Sequence, residues 1–470
     1  MPAARVRRAS SGEHGAPVTT PAVVIAAPAS GSGKTTVATG LVGALRQAGH
    51  VVAPFKVGPD FIDPGYHALA AGRPGRNLDP VLVGEELIGP LYMHGCTGAD
   101  IAVVEGVMGL FDGRIEAQMA GTPRGSAAQV AGLLGAPVVL VVDARGQSHS
   151  IAALLHGFVT FDPAVRIAGV ILNRVGSDRH EAVLRQACEH AGVAVLGAIP
   201  RADELSVPSR HLGLITAVEH GRQARDAVAA MTALVARHVD LAALVASSAA
   251  HVTAEPWSPE AESVTNVTVA LAAGKAFSFS YAEHAELLRG AGARVAEFDP
   301  LAEPLPAGVD ALVLPGGFPE QFTAELSAND LVRQQIRDLA ARGAPVHAEC
   351  AGLTYLVDDL DGMPMCGVLA GSARFTERLT LGYRDAVAVV DSCLHTAGGR
   401  VSGHEFHRTA VEFVDDQPPA WAFTGPGQAG RRDGAVQHGV HAGYLHTHPA
   451  AHPEAITRFV ATAATTKLGG

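Results

Sequence analysis

The sequence predicts an α/β protein of two doubly wound domains, each a mostly parallel sheet with helices on both faces. Three observations lead there. Short Val-, Ile- and Ala-rich runs without polar alternation recur along the chain, Gly-containing turns follow them, and Ala- and Leu-rich stretches of helical length separate them. Strands buried on both faces of a parallel sheet read this way, and their alternation with helices is the doubly wound pattern.

In the first half, the expected strands are Ala22–Ala27, His50–Lys56, Ile101–Glu105, Pro137–Val142, Ile167–Asn173 and Ala194–Ile199, with a crossover helix over Thr36–Ala48. These place a domain over 21–244. Residues 1–20 hold Arg5, Arg7 and Arg8 without an apolar run behind them, so they read as a disordered tail and not as a secretory signal. The stretch 245–264, dense in Ser, Pro, Ala and Glu, reads as an interdomain linker. Beyond it, over 265–466, the rhythm resumes. Strands are expected at Val267–Ala272, Arg294–Phe298, Ala311–Leu314 and Val346–Ala348, with helices over Tyr281–Ala291 and Leu331–Arg342. Past Gly367 the pattern turns Gly-rich and β-like, at Val387–Val390 and Ala410–Phe413, and a helix closes the chain from Ala455.

Composition narrows the function classes. A chain of 470 residues with 48% hydrophobic residues can bury at least two cores. A net charge of -11 argues against nucleic acid as a partner, while leaving room for a small anionic substrate in a local basic pocket. Five cysteines with no CxxC pair make a disulfide framework or zinc site improbable and point to a reducing cytoplasm. No apolar run approaches the roughly 18 residues that span a bilayer, so a soluble protein with no membrane partner is expected.

The first chemical signal follows the strand VVIAA: Pro28-Ala29-Ser30-Gly31-Ser32-Gly33-Lys34-Thr35-Thr36, opening a helix. Pro28 stands where the full P-loop pattern has Gly. The rest fits a nucleotide cradle, in which Gly31, Ser32 and Gly33 bring backbone amides to phosphate oxygens. Lys34 then reaches the outer phosphates, the Thr35 hydroxyl takes a Mg²⁺ position and Thr36 begins the helix. ATP and Mg²⁺ are the expected cofactors; a plain Gly-rich turn is the alternative. A metal-bound nucleotide needs a carboxylate at a neighbouring strand end. Glu105 in IAVVEGVMGLFDG supplies one, with Gly106 and Gly109 opening its loop. In KVGPDFIDPGYH, Asp60 and Asp63 lie three apart, and either completes the metal shell or orients the substrate. Asn173, closing VILN, reads the adenine edge or caps the next helix.

The second signal is Glu349-Cys350-Ala351-Gly352 between a strand and the helical LTYLV. Such a sharp turn holds a nucleophile out over a sheet, and a thiol near a helix amino terminus has a lowered pKa. The ending VHAGYLHTHPAAHP offers His446, His448 and His452. His446 is expected to deprotonate Cys350 and His448 to orient it; a metal role lacks a carboxylate or thiol at suitable spacing. LVLPGGFPE frees a backbone amide at Gly316-Gly317 for a tetrahedral oxyanion, with the amide of Ala351 as second donor.

These segments, with ILNRVGS and SGHEFHRT, occur in this order in the cobyrinic or hydrogenobyrinic acid a,c-diamide synthases of corrinoid biosynthesis, which the chain resembles from about Val23 to its end. The first half resembles dethiobiotin-synthetase-like P-loop NTPase domains. The second is similar to class I glutamine amidotransferases, whose sheet is flavodoxin-like. The resemblance implies a glutaminase nucleophile at Cys350, a base at His446 and an oxyanion position at Gly317. It implies ATP on Gly31 to Thr36, Mg²⁺ on Glu105, and carboxylate activation at Asp60 and Asp63. It further implies a corrin-ring polycarboxylic acid and L-glutamine as substrates, an acyl phosphate captured by ammonia, a closed path between the sites, and a homodimer. Related amidotransferases end in His-Pro-Glu, but here the glutamate position is His448. Arg73, Arg76 and Arg124 are expected to hold substrate carboxylates. Two other readings compete: amidation of another tetrapyrrole acid (the cobyric acid pathway or nickel sirohydrochlorin), and a P-loop regulatory ATPase fused to an inactive amidotransferase. KVGPDFIDPGYH and GYLHTH favour the a,c-diamide branch, and an intact Cys350 with His446 opposes the regulatory reading.

Overall fold

A computed structural model of the protein describes residues 19–115, 121–201, 216–259, 265–424 and 430–469. The tail expected over 1–20 lies almost wholly outside the described residues, as does the end of the expected linker.

Among the described residues, the first half forms a seven-stranded parallel sheet from β1 (Ala22–Ala26), β2 (Val52–Val57), β3 (Arg76–Leu78), β4 (Ile101–Glu105), β5 (Val138–Asp143), β6 (Ile167–Val175) and β7 (Val195–Pro200). Their order is β3-β2-β4-β1-β5-β6-β7. Successive residues of a strand serve opposite layers: Val24 and Ala26 join one core, Val23 and Ile25 the other. That division explains why β1 shows no polar alternation. β3 has no counterpart in the expected strand set, because a three-residue strand beginning Arg-Asn carries almost no apolar signal.

The second half builds a parallel sheet from β8 (Thr268–Ala272), β9 (Arg294–Phe298), β10 (Ala311–Leu314) and β11 (Val346–Glu349), extended by Val440–Gly443 and an antiparallel edge at Ala435–Gln437. Both layers are helix-covered as expected, the helices Ala282–Gly290 and Asp330–Ala341 lying within one residue of the predicted bounds. The β-like region past Gly367 becomes a further antiparallel sheet around the hairpin Gly371–Ala388/Arg400–Phe413, with a register shift between Phe375 and Thr380. The closing helix is Pro453–Gly469. No helix among the described residues is long and apolar enough to cross a membrane.

Polar contacts weld the halves. Arg76 pairs with Glu283 at 2.6 Å and with Glu286, His94 adds a 3.0 Å contact to Glu286, and the Tyr383 hydroxyl donates to Asp79 at 3.0 Å. The expectation that Arg76 holds substrate is therefore corrected: its guanidinium is committed to two carboxylates across the interface. Arg73 is committed too, donating to the carbonyls of Gly95 and Thr97, and Arg124 keeps one nitrogen on the Pro80 carbonyl at 3.3 Å. The segment after residue 247 stays on the first half: Ala249 bridges Ala22, His251 N donates to Leu134 O, Trp257 N donates to Pro90 O, and Val252 enters the core.

Candidate active sites

β1 ends at the centre of its sheet, and the loop after it opens at the carboxyl edge, where doubly wound folds bind ligands. The helix Lys34–Gln47 then begins at Gly33, whose φ of 96° places it in the left-handed region that glycine tolerates. A Cβ there would stand 2.3 Å from Asn173 Nδ2. Asn173 donates that nitrogen to the Ser32 carbonyl at 2.8 Å, tying β6 to the loop. The helix after β6 is capped by Ser177, so the capping alternative for Asn173 is corrected; its amide braces the phosphate loop. The Ser32 hydroxyl turns inward to the Ala29 carbonyl, and burial lowers the pKa of the Lys34 ammonium.

Thr35 Oγ1 donates to Glu105 Oε1 at 2.7 Å and lies 3.3 Å from Asp63 Oδ2. Lys56 Nζ sits between these acids, 2.7 Å from Asp63 and 3.0 Å from Glu105. His67 Nε2 lies 2.7 Å from Glu105 Oε2, close but off the axis of a hydrogen bond. Burial alone would raise the Glu105 carboxyl, yet Lys56 and His67 hold it well below its usual range. Asp63 goes the other way: burial and neighbouring Asp60 push it up against the pull of Lys56. Asp60 spends Oδ1 on the amides of Ile62 and Asp63 and keeps Oδ2 3.9 Å from Lys56, so Asp63, not Asp60, touches Thr35. Lys56 and His67 escaped the sequence reading. The available signals were a lysine ending a buried strand and the spacing of Asp63 and His67, which puts both on one helix face. Hydroxyl and carboxylate oxygens suit Mg²⁺, which usually takes one or two carboxylates plus phosphate oxygens. Among the described residues, no group of three His, Cys, Asp or Glu forms a preformed cage.

In the other half, β11 runs into Cys350, which adopts φ 49° and ψ -98° before the helix Ala351–Leu356. This is the strained elbow the sequence suggests. The amides of Ala351 and Gly317 both lie near enough to the sulfur to pull its pKa down, so the two expected oxyanion donors converge there. The expected low thiol pKa is corrected: burial and nearby Glu320 push the Cys350 thiol up, outweighing both amides and a helix of six residues. All five cysteines are free and buried.

His446 is fully buried, and its Nδ1 lies 3.5 Å from Glu349 Oε2. Gly316 leaves room for the ring, since a Cβ there would stand 2.3 Å from His446 Cε1. His448 does not join it. Its ring packs on Tyr281 at 4.2 Å, and its Nδ1 accepts the Ala450 amide. His452 is partly exposed and contacts Glu454. The SGHEFHRT motif wraps the nucleophile. Cys350 Sγ lies 3.7 Å from the Phe406 carbonyl, His407 stacks on Tyr444 at 3.8 Å, and buried Glu405 pairs with Arg384 and Arg431. An open cavity of about 980 Å³ runs alongside, lined by Leu353, Arg378, Arg384, His407, Arg431 and Tyr444 among others.

The two sites meet at Phe61, which lies between Asp60 and Asp63. Its ring stacks on Phe279 at 5.1 Å and 8°, tilts against Tyr281 at 4.7 Å, and packs on His446 at 5.2 Å.

Comparison with known proteins agrees with this geometry. Residues 23–215 match the model of the CobQ/CobB/MinD/ParA nucleotide binding domain, and residues 268–454 that of the CobB/CobQ-like glutamine amidotransferase domain. The hydrogenobyrinate a,c-diamide synthase of Mycobacterium tuberculosis H37Rv is 73% identical over 448 residues, covering 94% of this chain and 98% of its own. That of Streptomyces coelicolor is 56% identical, covering 94% and 97%. The cobyrinate a,c-diamide synthase of a Synechococcus strain is 41% identical, covering 93% and 97%.

Proposed function

The chain belongs to the hydrogenobyrinate and cobyrinate a,c-diamide synthase family, and from that premise we propose which residues carry its chemistry. It is a glutamine-dependent ligase that amidates the a and c side-chain carboxylates of the corrin ring acid in cobalamin biosynthesis. A carboxylate is a poor electrophile until its oxygen becomes a good leaving group. Transfer of the ATP γ-phosphoryl group makes it an acyl phosphate, and ammonia then displaces phosphate to give the amide, once at each position.

In this reading Gly31, Ser32, Gly33, Lys34, Thr35 and Thr36 hold the ATP phosphates, and Asn173 braces that loop beside the adenine. Thr35, Glu105 and Asp63 would hold Mg²⁺, which would neutralise charge on the transferred phosphate; Asp60 and Lys56 orient the substrate carboxylate. Cys350 attacks the glutamine amide, His446 carries the proton to the leaving nitrogen, and the amides of Gly317 and Ala351 hold the oxyanion. The observation that carries the reading is Phe61, bounded by the acids of one site and packed on the imidazole of the other. Cys350→Ala tests it: glutamine-driven amidation should vanish while ammonia-driven amidation survives, and loss of both or of neither contradicts it.

Relatives named for the metal-free ring reach 73% and 56% identity, against 41% for a cobyrinate relative, which supports hydrogenobyrinic acid as the substrate. Mass spectrometry of products from both ring acids discriminates, and preferential conversion of the cobalt-bearing ring refutes it. We further propose domains over 21–244 and 265–466 with the connecting segment 245–264 docked on the first as far as Trp257, a cytoplasmic homodimer, and a glutamine entrance at the cavity beside Tyr444. Sedimentation of the purified protein checks the dimer.

A further inference from the structure

The expected third member of the glutaminase triad, His448, is turned away, and its site is taken from another direction. β11 carries Glu349 immediately before the nucleophile. Its Oε1 accepts the Thr447 amide at 3.2 Å and the Thr447 hydroxyl at 3.1 Å, anchoring it to the segment that bears the base. Its Oε2 is left facing His446 Nδ1 at 3.5 Å. Both ring nitrogens of His446 are buried without a hydrogen-bond partner, as expected of a base whose contacts tighten only when substrate arrives.

We propose that Glu349 is the acid that positions His446, so the orienting carboxylate precedes the nucleophile in the chain instead of following the base. This deepens the glutaminase reading above and rests on it. In the step itself, the Cys350 S–H proton passes to His446 Nε2 as the S–C bond forms. It then passes to the departing nitrogen as the C–N bond breaks, releasing ammonia and leaving a thioester. Water repeats the exchange, giving glutamate and restoring the thiol. Throughout, Glu349 accepts the Nδ1–H, fixes the tautomer and stabilises the imidazolium, and is not itself protonated.

The charge state supports the role. Burial would raise the Glu349 carboxyl, but His347 and His446 hold it below its usual range. The other titratable groups facing it are Cys350 and the buried His284, His395, His441 and Tyr281. Burial lowers the pKa of those three imidazoles and raises that of the tyrosine, so none of the four is a charged competitor at neutral pH.

The test uses the full chain with Glu349→Gln, Glu349→Asp and His448→Gln, following glutamate release and amidation with glutamine or ammonium chloride. Glu349→Gln should lower the glutamine-driven kcat by roughly 10²–10⁴-fold, the range for losing a triad acid. The KM for glutamine and the ammonia-driven rate should hold within about threefold, a factor well below one tenfold step of binding energy. The limb of the pH profile that reports His446 should move to lower pH, because a neighbouring carboxylate raises an imidazole pKa. Glu349→Asp should recover at least part of the rate and of the limb, and His448→Gln should stay near the parent. Glutamine-driven activity that survives Glu349→Gln while Cys350→Ala abolishes it overturns the proposal and spares the glutaminase reading; survival in Cys350→Ala overturns that reading. Should Glu349→Gln fail to fold, Glu349→Asp and His448→Gln decide together: a glutamine-driven rate lowered in the first and parent-like in the second supports Glu349, and any other pattern refutes it.

Discussion

Removing the Phe61 ring should uncouple glutamine hydrolysis from amide formation. The ring is partly buried and makes three aromatic contacts, to Phe279, Tyr281 and His446. Phe→Ala in a full core costs about 3–5 kcal/mol, and aromatic pairs contribute about 0.5–1.5 kcal/mol each beyond buried area. A half-buried site with three such contacts belongs near 3 kcal/mol. That loss falls on the interface and not on either sheet, so the two halves should stay folded. If about 1.4 kcal/mol of it holds His446 in register, glutaminase turnover falls tenfold. The sharper readout is stoichiometric. With ATP, ring acid and glutamine saturating, the parent should release one glutamate per amide, while Phe61→Ala should release more, because ammonia escapes where the ring stood. Coupled assay of glutamate beside mass spectrometry of the corrin product measures both, and Phe61→Leu should lie between. A folded Phe61→Ala with unchanged rate and a ratio still at one would refute the role given to this residue.

Gly316→Ala should abolish glutamine-driven amidation by roughly 10²-fold, the scale of a small misplacement of a reacting group, because its Cβ would meet His446 Cε1 at 2.3 Å; ammonia-driven amidation should persist, and a parent-like glutaminase rate contradicts this. Lys56→Met should leave Asp63 and Glu105 facing each other with only His67 to offset them, costing about 3–5 kcal/mol, so a urea midpoint equal to the parent's counts against the cluster as described. The buried imidazoles predict acid lability. His284, His395 and His448 are lowered by burial to about 3, 4 and 4, whereas the unfolded chain takes up protons from about pH 6.5. Stability is therefore full above pH 6.5 and declines as pH falls toward 4, by up to about 1.4 kcal/mol per pH unit for each histidine. Asp79 and Asp433, raised by burial to about 6, oppose this in part. A urea midpoint that stays flat or rises between pH 7 and 5 contradicts the balance.

The contiguous parts of both sites were legible. A phosphate cradle needs its glycines, lysine and threonine within one turn between strand and helix, and an elbow needs its nucleophile at one such junction. Both are therefore written in adjacent letters. What joins residues across strands and sheets was not. Lys56 meets Glu105 because β2 and β4 are neighbours, a pairing that no local pattern encodes. Glu349 looked like part of the elbow, and its partner His446 lies 97 positions on. The three arginines were read as substrate ligands because exposure cannot be judged from sequence, and Arg76 proved tied to two glutamates. The hairpin Gly371–Ala388/Arg400–Phe413 was only partly seen, since its burial pattern is mixed and its register slips.

The path of the chain after residue 247 bears on how this protein can be divided. Because Ala249, His251 and Val252 pack on the first half and Trp257 bonds to it, a split gene that cuts where the composition changes would remove the segment that caps β1 and leave the carbonyls of Leu134 and Pro90 without their donors. Two fragments meant to recombine should be severed beyond Trp257 instead.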